Sequence, residues 1–443
     1  MARRLLAVVA AALALCGAAA AAGVRVTTDP LEPQEWWLAA VGANLAQAPG
    51  PGVPISVVDS GVDPTQPEFA GRPTTTYFNT QTVLGPAEFH GTMVASIAAA
   101  PENGIGMVGV YPNAALQIFD ASPDPHGITD PTAIAGILTA AQHCPGVINL
   151  SFGGNADDQQ LHEAILQAYE AGCLVVAAAG NDGQQGSPTT YPADWPHVFT
   201  VAASDRNNAV APFTTSSPAN DLTAPGVGIT GAVPLSHDPS GYVNGDGTSF
   251  SAPIVSAAAA WIWTLRPTLT AGQLAGVLRE SATDIGPPGF DNTSGYGLLN
   301  IPAALVAPAP PIDPDEPNDD IEQVKPLQLF HLGQPALTTK GKPASRIAAT
   351  LDKADDPRDI YRIWVPAHET VHVKVTTGGR AAAARIWGPK TLSVNEGIAA
   401  RRRDLRGPSI TAGKAGMQAY VEVLLTGSST TASYVLGVTA SRR

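Results

Sequence analysis

The 443 residues leave room for two or three domains, and 44% hydrophobic against 14% charged residues excludes a disordered chain while supplying apolar side chains for an enzyme-sized core. The net charge of −13 is unevenly spread: residues 24–307 hold 24 acidic side chains against five Arg and no Lys, whereas residues 308–443 hold 14 acidic against 18 basic. So acidic a first part repels phosphates, which excludes nucleic acid as a partner.

The chain opens on MARRLLAVVAAALALCGAAAAAG, where Arg3 and Arg4 precede an apolar run that ends in small alanines. This is the pattern of a secretory signal over residues 1–22, cleaved near Ala22. The run also approaches the length of a membrane anchor, and Cys16 offers lipid attachment as a further alternative, although bulky Leu15 stands where a small residue is wanted. The paired arginines suit twin-arginine export. No later stretch reaches 18 uninterrupted apolar residues, so the mature chain is expected to be secreted, monomeric and without a transmembrane anchor.

From Val53 to Leu299 short apolar runs (VPISVVD, VINLSF, CLVVAAAGN, HVFTVAA) alternate with helical stretches (HGTMVASIAAA, TAIAGILTAAQHC, QQLHEAILQAYEAG). Strands without polar alternation are covered on both faces, and their alternation with helices predicts an α/β fold, a doubly wound parallel sheet that binds ligands at the carboxyl ends of its strands. Cys144 and Cys173 each stand just ahead of such a strand. With Cys16 removed, they either pair across neighbouring strand starts or remain two buried thiols. The stretch APAPPIDPDEPNDD reads as a linker over residues 307–320. Beyond it, residues 321–443 contain alternating segments (RDIYRIWV, ETVHVKVTT, MQAYVEVLLTG, TASYVLGVTAS) that predict a small C-terminal antiparallel β-sandwich domain.

Three polar residues lie at element ends in the wound part. Asp59 closes VPISVVD, His90 opens HGTMVASIAAA, and Ser249 precedes the uncharged helix IVSAAAAWIWTL. Each has an ordinary reading, as turn residue, helix-start polar group and N-cap. Together they supply a nucleophile, a base and a carboxylate to orient the base. His126, in PHGIT, also precedes Gly but sits in a Pro- and Asp-rich loop with no helix behind it.

The segments VVDSGVD, HGTMVAS and GTSFSAP, in that chain order, resemble the three signatures of the subtilisin-like serine proteases, the subtilases. The resemblance covers about residues 28–306 and implies a catalytic domain within residues 23–306. It implies that Ser249 attacks a peptide carbonyl, that His90 carries the proton and that Asp59 orients His90. LVVAAAGNDG resembles the family's oxyanion segment, which places the Asn181 amide beside the Ser249 N–H. INLSFGG resembles the strand that pairs with an extended substrate, making Ser151, Phe152 and Gly153 cleft residues. TTYPADWP resembles the wall of the primary specificity pocket, with Thr190 where the family often has Gly; a branched residue there shortens the pocket. Asp182, near the rim, favours a basic side chain. Departures from the family pattern are Ser96, Phe250 and Ser251, none of which removes a reacting atom.

The resemblance implies no cofactor for catalysis. It allows structural calcium, for which the acid-rich loop DASPDPHGITD is one candidate. DPLEPQEWWLAAVGA resembles a mature amino terminus and follows the leader directly, leaving no folding propeptide. In the tail, EPNDD and RDIYRIWVP resemble a bacterial pre-peptidase C-terminal domain, which implies a role in secretion, surface contact or substrate capture, followed in some cases by removal. Arg401, Arg402, Arg403 and Arg406 read as a solvated loop or as a contact for an anionic surface. The expected function is secreted, broad-specificity hydrolysis of protein or peptide substrates. The alternatives are a processing protease with one client and a non-catalytic binding protein on the same scaffold.

Overall fold

The computed structural model describes residues 28–82, 88–122, 127–326, 333–353, 356–378, 381–394, 405–429 and 431–442. The leader with Cys16 and Ala22, His126, and Arg401, Arg402 and Arg403 lie outside the described residues, as does the Arg406 side chain.

Strand β1 (Ile55–Asp59) is buried along its whole length because helices cover its sheet on both faces. The sheet also contains β2 (Thr75–Tyr77), β3 (Leu116–Asp120), β4 (Val147–Leu150), β5 (Leu174–Ala178), β6 (Val198–Ser204) and β7 (Asn220–Pro225). Its order is β2-β3-β1-β4-β5-β6-β7 and every neighbouring pair is parallel. Successive residues of a strand point to opposite faces. Val57, Leu174 and Val176 accordingly join one core with α2 (His90–Ala99) and α5 (Thr248–Leu265). Val58, Val175 and Ala177 join a second core with α3 (Asp130–Ala141) and α4 (Gln159–Glu170). Short α1 (Trp36–Ala40), α6 (Ala271–Glu280) and α7 (Ile301–Val306) extend the first layer, and the antiparallel ribbon of β8 (Ile229–Ala232) and β9 (Tyr242–Gly245) leads into α5. Among the described residues α5 alone is long and apolar enough to cross a membrane, and 83% of it is buried inside the protein.

Cys144 and Cys173 form a disulfide at the starts of β4 and β5, which resolves the two readings in favour of pairing. They lie 29 residues apart in sequence, and closing a loop of that size contributes about 3–4 kcal/mol if the effect is entropic.

The tail forms two four-stranded antiparallel sheets. One has β10 (Ser345–Asp352), β17 (Thr431–Arg442), β12 (Glu369–Thr377) and β15 (Ser409–Thr411) in that order; the other has β11 (Arg358–Val365), β16 (Met417–Leu425), β13 (Ala382–Trp387) and β14 (Leu405–Gly407). Their inner faces share one apolar core that includes Leu351, Ile363, Val421 and Leu436, the construction of a β-sandwich. Helix α8 (Ile321–Val324), capped by Asp320, leads in. Residues 307–320 carry no helix or strand, yet they do not behave as a free tether. Asp313 Oδ2 accepts hydrogen bonds from the Thr350 N–H (2.6 Å) and hydroxyl (2.5 Å), and buried Asn318 accepts from the Ile360 N–H. Pro317, Asn318 and Asp319 are buried, while residues 308, 309, 311 and 312 remain exposed.

Candidate active site

The strand order reverses at β1, which has β3 on one side and β4 on the other, and the carboxyl end of such a strand opens into a crevice. Asp59 stands there, 1% exposed. Its Oδ1 accepts the Ser60 N–H at 2.7 Å and lies 2.8 Å from His90 Nδ1. The adjoining motifs interlock: the Gly91 N–H donates to Ser60 Oγ, the Asp63 N–H donates to Thr92 Oγ1, and a Cβ on Gly91 would lie 2.2 Å from the Gly61 carbonyl oxygen. Only glycine lets α2 approach the turn after β1 closely enough to bring imidazole and carboxylate together.

Burial disfavours the His90 imidazolium, but the Asp59 charge and hydrogen bond, with the charge of Glu88, outweigh it and hold the imidazole above its ordinary value. Glu88 is itself raised, first by burial and then by the charges of Asp120 and Asp59. Sequence reasoning missed Glu88. The signal available was its position two residues before His90.

Ser249 is the second residue of α5, not its cap; Gly247 holds that position. Pro253 lies four residues on and has no N–H to give the Ser249 carbonyl. The Ser151 hydroxyl donates to that carbonyl instead, at 2.8 Å. Behind it, Asn149 Nδ2 donates to Ser151 Oγ and Ser256 Oγ donates to Asn149 Oδ1, so a buried polar chain ties β4 to the first turn of α5. Ser151 is thus turned toward the helix, and its side chain is 2% exposed. The ring of Phe250, next to Ser249, lies 5.8 Å from the His90 ring between centroids.

Asn181 follows β5. Its Oδ1 accepts both the Thr248 N–H (2.9 Å) and the Thr248 hydroxyl (3.0 Å), so one end of the amide is tied down and its NH₂ end is left as the donor of an exposed side chain. Thr190 is 4% exposed, fixed by its N–H to Asp194 and its hydroxyl to the Pro188 carbonyl. A Cβ on Gly153 would lie 3.0 Å from the Thr190 methyl, and one on Gly180 3.2 Å from the same methyl. Gly153 and Gly180 therefore both lie against the Thr190 side chain. Gly154 exchanges two hydrogen bonds with Tyr191 beside it. Phe152 packs into the second core, and half-buried Asp182 is anchored by its N–H to Thr215 Oγ1.

Two acidic groupings lie away from the Asp59–His90 pair. In the first, Asp29 accepts the Asn103 and Gly104 N–H groups, and Glu68, pushed up to about 7 by burial, accepts the Met107 N–H and the Tyr242 hydroxyl. The second lies at the seam between the wound domain and the sandwich. The loop at residues 120–130 is only partly described, with residues 123–126 outside.

A wound parallel sheet with an Asp–His pair at the carboxyl end of the strand where its order reverses is an α/β fold with that pair in its ligand-binding crevice. Residues 50–297 match the Subtilase family. Subtilisin DY of Bacillus licheniformis is 33% identical over 257 residues, which are 58% of this chain and 91% of that protein. The minor extracellular protease Epr of Bacillus subtilis (strain 168) is 32% identical over 277 residues, which are 62% of this chain but 41% of Epr. A solved structure of a psychrophilic subtilisin-like protease from Pseudoalteromonas sp. AS-11 superposes with a TM-score of 0.54 at 20% identity, covering 61% of this chain and 96% of that one. The chain belongs to the subtilase family of serine endopeptidases.

Proposed function

We propose that the chain is a secreted endopeptidase in which Ser249, His90 and Asp59 act as one unit. The observation that carries this reading is the 2.8 Å contact between His90 Nδ1 and buried Asp59 at the strand where the sheet order reverses. With Nδ1 engaged, Nε2 is the nitrogen left to take the Ser249 proton as the hydroxyl attacks the scissile carbonyl. His90 then returns that proton to the leaving amine, and a water repeats the cycle to release the acyl group. Asn181 Nδ2 and the Ser249 N–H are the donors for the tetrahedral oxyanion, and the tie from Thr248 to Asn181 keeps the first of them oriented before charge develops. The leader motif supports secretion, as does the word extracellular in the name of Epr. A main-chain site at Ser151–Gly153 recognises substrate without reading side chains, which supports broad specificity. A fluorescent serine-directed phosphonate tests the reading: it labels the native chain and leaves Ser249→Ala unlabelled. Equal labelling of both, or of neither, removes the proposal.

The Thr190 side chain lies against Gly153 and Gly180, and by the subtilase resemblance it shortens the primary specificity pocket. Thr190→Gly is expected to raise the kcat/KM ratio for Phe over Ala before the scissile bond by about tenfold or more, measured on paired peptide substrates.

His90 must be neutral to act as a base, and Glu88 favours its charged form. Glu88→Gln is therefore expected to move the acidic limb of the kcat/KM profile to lower pH and to leave the high-pH plateau in place. Movement to higher pH, or none, removes Glu88 from this role.

A further inference from the structure

Beyond the seam the tail is basic. Residues 360–443 hold 12 basic side chains against 4 acidic, in a chain whose net charge is −13. Part of that charge is collected on one surface. Successive residues of a strand point to opposite faces, and Ala349, Val371, Leu436 and Val438 enter the core of the sandwich. Arg346, Lys374, His372 and Thr439 therefore stand on the outer face of the sheet β10-β17-β12-β15, where all four are exposed. Of the outward side chains on these strands Asp352 alone is acidic. It stands at the seam end, where the Tyr296 hydroxyl donates to it at 2.6 Å.

The register brings two cations to either side of a gap. Arg346 pairs with Gly437, and Gly437 pairs with Lys374, so the two charged residues lie two strand spacings apart, about 10 Å, across a residue with no side chain. Arg358 and Arg385 converge on Glu422, and Arg442 lies near Glu369; Arg346 and Lys374 have no such carboxylate among the described residues. The independent observation is Gly437 itself. Glycine inside a strand weakens it, and marks a bulge, a bend or the close approach of a ligand or another backbone. Pairing runs through Gly437 without a shift on both sides, which removes the bulge. A Cβ placed there would meet nothing nearer than the Lys374 carbonyl oxygen at 3.8 Å, which removes a packing reason. The fold does not need glycine at this position, and its effect is to keep a channel open between guanidinium and ammonium.

The surroundings of the channel select its occupant. The next rung of the face carries Thr439 and His372, and the one beyond it the Thr370 and Thr411 hydroxyls, 2.8 Å apart. Cations that match carboxylates, flanked by hydroxyls that both donate and accept, fit a flat chain that itself carries hydroxyls and carboxylates. A bilayer fits less well, because Val435 is the largest apolar side chain on the face and nothing there reaches into lipid. An extended peptide adds to the edge of a sheet rather than to its face.

We propose that the outer face of β10-β17-β12-β15 docks the chain on an acidic polysaccharide, with a carboxylated sugar seated over Gly437 between Arg346 and Lys374. The catalytic domain, acidic throughout, is repelled by the same polymer. Docking therefore orients the molecule, sandwich toward the polysaccharide and catalytic domain away from it.

The test uses the full-length chain carrying Ser249→Ala, so self-cleavage is suppressed and the outcome does not depend on the peptidase reading. Its binding is measured on beads bearing polygalacturonate, on beads bearing neutral dextran and on phosphatidylglycerol vesicles. It is expected to bind polygalacturonate, more weakly as salt is added, and to ignore dextran. Arg346→Glu combined with Lys374→Glu is expected to lower that affinity about tenfold or more. Lys325→Glu combined with Lys390→Glu changes the net charge equally but lies off this face, and is expected to lower it by no more than about threefold. Gly437→Val suits a strand better than glycine, so it should leave the thermal midpoint unchanged or higher while closing the channel and weakening binding about tenfold or more. Failure of the parent chain to bind polygalacturonate overturns the proposal. So does binding to vesicles without binding to polygalacturonate, which would make the face a lipid contact. Equal losses in the two charge-reversed pairs, or full affinity in Gly437→Val, would reduce the effect to overall charge and overturn it as well.

Discussion

Ser249→Ala is expected to lower kcat on a chromogenic peptide by about a million-fold, the scale at which removing the nucleophile acts in subtilisin. The substitution deletes one hydroxyl and leaves its surroundings intact. The contact that holds the first turn of α5 runs from Ser151 to the Ser249 backbone carbonyl, which alanine retains, and the tie from Thr248 to Asn181 is untouched. KM is therefore expected to change little, and residual turnover from the oxyanion donors alone should stay roughly a thousandfold or more above that in water. The control is two residues away. Ser251 is fully buried, and its hydroxyl donates to the Ala224 and Pro225 carbonyls, at 3.0 and 3.1 Å. Ser251→Ala should cost about 1 kcal/mol of stability, read as a lower urea midpoint, and keep kcat within a few fold. If the two variants exchange these phenotypes, the nucleophile has been misassigned.

Much of this site is legible in the amino-acid sequence because its physics is local. An apolar run without polar alternation has to be covered on both faces, so ISVVD and LVVAA announce a wound parallel sheet before any contact is known. Gly91 and Gly180 stand where backbone or a buried side chain approaches too closely for a Cβ, and they mark the turns that carry His90 and Asn181. What composition does not show is the partner of the connecting segment. Proline and acid in residues 307–320 read as a linker, yet Asp319 within it is buried against His197, 122 residues earlier in the chain. Nothing local records that partner. The same limit applies to Ser151: its hydroxyl takes the place of an N–H that Pro253 lacks, a substitution of donors visible only once β4 and α5 touch. The two cysteines pair because β4 and β5 are neighbours, and strand neighbourhood is a property of the whole sheet.

Asp59→Asn is expected to reduce kcat by about ten-thousand-fold with little change in fold, through either orientation of the new amide. Asp59 Oδ1 receives the Ser60 N–H and faces His90 Nδ1, while Oδ2 is buried without a partner. Asparagine has one oxygen for these places. If that oxygen keeps the Oδ1 position, the imidazole retains its tautomer but loses the negative charge that stabilises it once protonated, and the NH₂ is left in a buried position with nothing to accept from it. If the amide turns over, its NH₂ donates to Nδ1, the imidazole proton moves to Nε2, and His90 presents Ser249 with a donor where a base is required. Because the carboxylate contributes to the upward shift of His90, the variant should also titrate at lower pH, measurable by NMR of the imidazole. The two orientations separate there: loss of charge alone lowers the titration and keeps the proton on Nδ1, whereas inversion places it on Nε2. A variant that loses less than tenfold in kcat would mean that the 2.8 Å contact holds His90 in place without taking part in proton transfer.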